Sequence, residues 1–181
     1  MVPIKGVLFD VVQEVVAEIL GDEAWDRAID ASGLEGAYTS LGNYPDAEMH
    51  TLVALLADEA GLTGDETLRV VGVHAYKHLK ERQPDLVADV SDLGQMLHSL
   101  NEVIHPEVRK LYVDASVPDF VVDDLGPGRW SVTYESERRM CHLAEGLIVG
   151  AGVDLGTEPS VTHTSCVAHG DEACVLEVVT A

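Results

Sequence analysis

Apolar residues recur every three or four positions through the first hundred residues of this chain. That spacing restricts its first half to helices. Leu8, Val11, Val12, Val15, Val16 and Ile19 share one helical face, and the run stops at Gly21. A short helix around Trp25 to Ala31 stops near Gly33. Met49, Leu52, Val53, Leu55 and Leu56 mark another that ends at Gly61, since glycine tolerates the left-handed backbone that closes a helix. Thr63-Gly-Asp-Glu66 has the form of a capping box, in which side chains satisfy the first free N–H groups of a helix. The helix it opens carries Leu68, Val71, Ala75 and Leu79 and stops before Pro84. Ser91 or Asp92 caps the next, with Leu93, Met96, Leu97, Leu100 and Ile104 inside. Pro106 is expected to interrupt that helix one residue after His105, because proline has no N–H to donate.

Beyond this point the period changes from helical to alternating. Residues 119–124, the turn Gly126-Pro-Gly128 and residues 129–136 predict a hairpin. Residues 138–150 return to helical spacing through Met140, Leu143, Leu147 and Ile148. Residues 160–179 predict a closing hairpin that turns at Gly170-Asp171. With no internal repeat and no low-complexity linker, the expected class is α+β. A helical N-terminal lobe is followed by a small antiparallel sheet with flanking helices, in a single domain over residues 1–181.

Charge and composition exclude several function classes. Acids outnumber bases 32 to 11, a net charge of −21, which disfavours nucleic acid and anionic membrane surfaces alike. No apolar run has the length of a membrane span. Asp10, Glu14 and Glu18 interrupt the first twenty residues, unlike a secretory signal, so a cytoplasmic location is expected. Three cysteines, an odd number, argue against a disulfide framework. No nucleophile–base pair or phosphate loop is evident, so no catalytic activity is expected.

Three groups of residues carry chemistry. Tyr134, Ser136 and Arg138 alternate, so on an extended strand two hydroxyls and a guanidinium would point to one side, a set suited to an anion with several oxygens. His163, Cys166 and Cys174 lie on the last hairpin and Cys141 on the helix before it. Three cysteines and one histidine suit a closed tetrahedral zinc site, with His142 and His169 as rival fourth ligands and idle buried thiols as the alternative. His105 follows an apolar helix and precedes Pro106. Taken alone, it is more readily an ordinary core or surface histidine than a ligand.

The stretch Leu100-Asn-Glu-Val-Ile-His105-Pro-Glu-Val-Arg-Lys-Leu-Tyr112, with Tyr134-Glu-Ser-Glu-Arg-Arg-Met140 beginning 29 positions after its histidine, resembles the heme nitric oxide/oxygen binding family, H-NOX. The resemblance is to the stand-alone bacterial type and covers nearly the whole chain. It implies a distal lobe over about 1–63, a proximal lobe over about 64–181, and a heme b cofactor. His105 matches the axial ligand of the iron, and Tyr134, Ser136 and Arg138 match the motif that holds the propionates. Pro118 matches the proline that presses on the porphyrin, and Gly72 the small hinge residue between lobes. Leu143 stands where oxygen-binding members carry a distal tyrosine, with Val12 and Ala75 in place of its partners. The resemblance therefore implies a sensor of nitric oxide that also binds carbon monoxide and excludes oxygen. Nitric oxide would weaken the iron–histidine bond and shift the helix 92–104. The partner would be a separate chain, a histidine kinase or a diguanylate cyclase. Cys141, His163, Cys166 and Cys174 match a subset of the family that carries zinc, which makes a zinc-thiol redox sensor on the same fold the alternative function.

Overall fold

The N-terminal pattern folds into four helices that share one core. In a computed structural model describing residues 3–180, α1 (Gly6–Leu20) buries Phe9, Val11, Val12, Val15 and Val16. Met1, Val2 and Ala181, the ends of the expected domain, lie outside the described residues. Helices α2 (Glu23–Ser32) and α3 (Asp46–Ala60) end at Gly33 and Gly61, both left-handed. The capping box forms: Thr63 Oγ1 accepts from the Glu66 N–H and Glu66 accepts from the Thr63 N–H, opening α4 (Gly64–Arg82). Leu68, Val71 and Ala75 of α4 join the N-terminal core beside Leu52, Leu56 and Trp25. Two three-residue strands, β1 (Pro3–Lys5) and β2 (Asn43–Pro45), pair antiparallel in this lobe. They are too short to show an alternating pattern, and no local signal announces them.

Asp92 caps α5 (Leu93–Ser99), accepting from the Gln95 N–H at 2.8 Å. Here the structure corrects an expectation. Pro106 does not end the helix. The turn Leu100–Ile104 is π-helical, and α6 (His105–Leu111) continues directly from it. Proline is tolerated in the first turn of α6, where its missing N–H costs least. The widened turn before it accommodates the ring, a common device at functional sites.

Strands β3 (Asp119–Gly126), β4 (Arg129–Glu135), β5 (Ser160–Ser165) and β6 (Cys174–Val179) form an antiparallel sheet in the order β3-β4-β6-β5. Val132, Leu176 and Val178 face α5 and helix α7 (Cys141–Asp154) in a second apolar core. Helix α7 starts three residues later than the spacing predicts and runs four further. Its face is set by α4: Gly146 and Gly150 lie against Gly72 and Val73 so closely that a side chain at any of these glycines would strike the opposing backbone. No helix among the described residues is long and apolar enough to cross a membrane.

Candidate functional site

Between the two cores lies a cavity of about 290 Å³; a smaller one, of about 20 Å³, adjoins it and is lined by apolar residues alone. The large cavity is bounded by α4, α5, α6, β3, β4 and α7. The loop from Ala115 to Pro118 closes one side. Lys5, Lys80, Arg82 and Arg138 line it, four of the eleven bases in a chain with 32 acids, and no aspartate or glutamate does so among the described residues. An apolar cavity edged by cations alone suits an apolar molecule with acidic groups.

His105 opens α6 and faces this cavity with Pro118 beside it. Its ring is 5.7 Å from that of Phe120, which is 5.6 Å from that of Tyr134. Burial pushes the imidazole down to about 4, with Arg109 adding to the shift and the Pro118 carbonyl and Asp119 opposing it. His105 is therefore neutral at pH 7, the form that ligates a metal. Its Nδ1 is buried and makes no aligned hydrogen bond.

Tyr134 and Arg138 reach the cavity as expected, by a route other than the one the alternation predicts. Strand β4 ends at Glu135, and residues 136–140 form a turn in which Arg139 is left-handed at φ 54°. That turn carries Arg138 inward. Its guanidinium donates to the Pro3 carbonyl and its own carbonyl is 3.1 Å from His50 Nε2, while its Nε is buried without a partner. Burial lowers the Arg138 pKa, partly offset by Tyr134 and Asp46. Burial likewise raises that of Tyr134, so its hydroxyl stays a donor. Ser136 does not line the cavity; its hydroxyl accepts from the Arg138 N–H at 3.3 Å and interacts with Tyr134. It supports the two groups that do.

Leu143 lines both cavities, and Val12 and Ala75 line the smaller. A phenol the sequence analysis missed, Tyr76, also lines the larger one. Burial and the Asp154 carboxylate raise it to about 12. Asp154 ends α7, eleven residues and about 16 Å of helix beyond Leu143.

A second cluster occupies the start of α7. Cys141, His142, His163 and Cys166 place one ligand atom each within 4.8 Å of one another. The Cys141 and Cys166 sulfurs are 3.6 Å apart, and the Cys174 sulfur is 3.9 Å from that of Cys166. The fold thus gathers all three cysteines with His163 and with His142, one of the two rival ligands; the other, His169, lies in the exposed turn after Cys166. The His142 and His163 rings stack at 4.2 Å, above the buried Glu145 that Arg69 holds at 2.7 Å. Burial and the two neighbouring thiols raise the Cys141 pKa. His163 Nδ1 is buried without a partner, while its Nε2 lies 3.0 Å from the Glu145 carboxylate.

A family model for Haem-NO-binding proteins matches residues 5–163. The fold superposes on that of an H-NOX protein from S. oneidensis in the Fe(II)NO state, with a TM-score of 0.92 and 26% identity over 98% of this chain and 99% of that one. A structure of the H-NOX domain from Shewanella oneidensis in the Fe(II)CO state gives 0.89, with 26% identity and coverage of 98% and 99%. The unliganded Fe(II) H-NOX protein from K. algicida gives 0.87, with 28% identity and coverage of 98% and 97%. No curated protein matches the chain. The fold is that of the H-NOX class of gas sensors. The chain belongs to the Haem-NO-binding family.

Proposed function

We propose that this chain is a heme sensor of nitric oxide that also binds carbon monoxide, excludes oxygen and regulates a separate signalling partner without catalysis of its own. The observation that carries the reading is the cavity. It is apolar and edged by cations, and it holds a half-buried neutral imidazole and a buried guanidinium, each with a buried, unpartnered nitrogen. Those orphaned polar atoms fit a ligand that supplies both a metal and carboxylates. His105 would hold the iron of heme b, and Tyr134 and Arg138, braced by Ser136, would bind the propionates. Pro118 and Leu143 would bear on the two faces. Ferrous heme would supply an iron that takes up diatomic gases.

Ligand choice follows from the distal wall. Val12, Ala75 and Leu143 offer no hydrogen-bond donor, and the Tyr76 phenol feels the charge at the far end of α7. Bound oxygen gains from a donor because it carries negative charge; nitric oxide and carbon monoxide need none. Losing a donor bond of about 1–1.5 kcal/mol weakens oxygen retention by roughly tenfold. On this reading His105 would hold the iron, and a ligand that loosened that hold would let His105 and the helix around it move. The partner that reads this motion, a histidine kinase or a diguanylate cyclase, is a separate cytoplasmic chain. The test is a spectrum of the purified ferrous protein. A Soret band that shifts with nitric oxide and carbon monoxide but not with air supports the reading. No Soret band after reconstitution with heme, or a stable oxygen complex, overturns it.

We further propose that Cys141, His163, Cys166 and Cys174 bind zinc. The Cys141 thiol is neutral without a metal, and a divalent cation would deprotonate it and its neighbours and take a His163 nitrogen. A zinc-thiol redox sensor on the same fold is the second reading, since such thiolates are oxidisable. Metal content before and after mild oxidant tests it; fresh protein free of zinc removes it.

A further inference from the structure

The turn that leads into His105 carries an exposed side chain tied to the backbone of the sheet. Asn101 Nδ2 donates to the Phe120 carbonyl at 2.6 Å, and its Oδ1 accepts from the Phe120 N–H at 3.2 Å. An asparagine amide has the donor and acceptor of a peptide unit, so one side chain completes both bonds of one residue of β3. Strand β3 is an edge strand whose outer backbone groups have no strand partner among the described residues. Asn101 stands in for a short piece of the missing strand.

The position of this pairing matters more than its existence. Asn101 lies in the π turn Leu100–Ile104, one turn before His105. Phe120 is the aromatic ring against both His105 and Tyr134. The amide therefore fixes the helix carrying the imidazole to the residue that backs the imidazole. Beyond it, among the described residues, α6 is held to the strand by the half-exposed pair Arg109–Asp119 at 3.7 Å, a kind of contact worth little in water. It buries no residue fully.

We propose that Asn101 is a positioning residue for His105: its two bonds to Phe120 set how far the imidazole stands into the cavity, and so how firmly it holds the iron. The inference rests on the heme reading above. With Asn101 in place, the helix resists withdrawal and His105 stays bound. Without it, α6 moves away from β3 and the iron–imidazole bond lengthens. The π turn provides the means, because its extra residue per turn can be absorbed as the segment returns to α-helix.

The test compares Asn101→Ala with Val122→Ala, which weakens β3 without touching Asn101 or the cavity. In the heme-loaded ferrous protein, Asn101→Ala should lower the iron–imidazole stretching frequency. It should also raise the ratio of five- to six-coordinate nitric oxide complex by about fivefold, the effect of one net hydrogen bond on an equilibrium. Val122→Ala should lower thermal stability and leave both readouts in place. Unchanged readouts in Asn101→Ala, or equal changes in both variants, overturn the proposal. If Asn101→Ala does not fold, Asn101→Asp carries the same measurements, since its carboxylate keeps the Phe120 N–H bond and repels the Phe120 carbonyl. Should the wild-type protein take up no heme, the heme reading fails on its own. The clamp is then judged by amide exchange at Phe120, which Asn101→Ala should speed about fivefold; an unchanged rate overturns it.

Discussion

Replacing Gly72 by alanine tests the helix crossing on which the cavity depends. A Cβ at Gly72 would lie 2.8 Å from the Gly146 Cα and 2.9 Å from the Leu147 nitrogen, with the Leu143 carbonyl closer still. Carbon atoms prefer roughly 3.5–4.0 Å, so α4 and α7 must separate by about 0.8 Å. The obstructing atoms are backbone and cannot rotate away, which puts the cost toward the upper end of the ~1–3 kcal/mol of overpacking. Alanine's better helix propensity returns about 1 kcal/mol. The net loss is about 2 kcal/mol, or roughly 4–8 °C in Tm for a chain of this size. Gly64 lies in the same helix with nothing within 4 Å of its would-be Cβ. Gly64→Ala should therefore stabilise by about 0.5 kcal/mol. Thermal unfolding by circular dichroism reads both. A Gly72→Ala protein as stable as Gly64→Ala would refute the crossing. The same shift moves Leu143, Ala144 and Leu147, which line the cavity, so Gly72→Ala should also change carbon monoxide release.

Three other outcomes follow from the site. His105 has a folded pKa of about 4 against an ordinary 6.5, so unfolding takes up a proton: the stability it lends the heme-free protein is whole above pH 6.5 and lost as pH falls toward 4. Urea unfolding at pH 7 and pH 4.5 should show His105→Leu losing about 2–3 kcal/mol less than wild type, and parallel losses would refute it. If Arg138 binds the propionates as proposed, Arg138→Ala removes a charge-assisted contact worth about 1.5–3 kcal/mol, so heme should transfer to apomyoglobin roughly 10- to 150-fold faster; an unchanged rate places the carboxylates elsewhere. Leu143→Tyr supplies the missing distal donor, and oxygen dissociation should slow by roughly tenfold, as flash photolysis under oxygen would show.

The helices were legible because each depends on its own residues. Gly21, Gly33 and Gly61 stop helices where the spacing says, and Thr63 and Glu66 meet because they are three residues apart. The hairpin of β3 and β4 shows in its alternation and its turn for the same reason. The alternation of Tyr134, Ser136 and Arg138 marked a set suited to an anion, but His105 stood out only through the resemblance, since nothing local distinguishes a histidine that backs on packing from one that faces a cavity. Tyr76, Asn101, Gly146 and Gly150 gave no local signal, because the groups that give each its role are more than ten residues away. The route to the cavity also differs from the one the alternation predicts: Arg138 enters from a turn pinned by Pro3 and His50 rather than from a strand.

By itself, then, the sequence determined the order of the main helices and of the two hairpins, and the helix stops at Gly21, Gly33 and Gly61, which are settled by backbone preferences and by bonds between near neighbours. The tertiary structure alone decided that Pro106 sits inside a continuous helical path, that four cations and a neutral imidazole share one cavity, and that three distant thiols meet. Those facts come from closing long loops around two separate cores. No short window of residues contains the contacts that hold such loops shut.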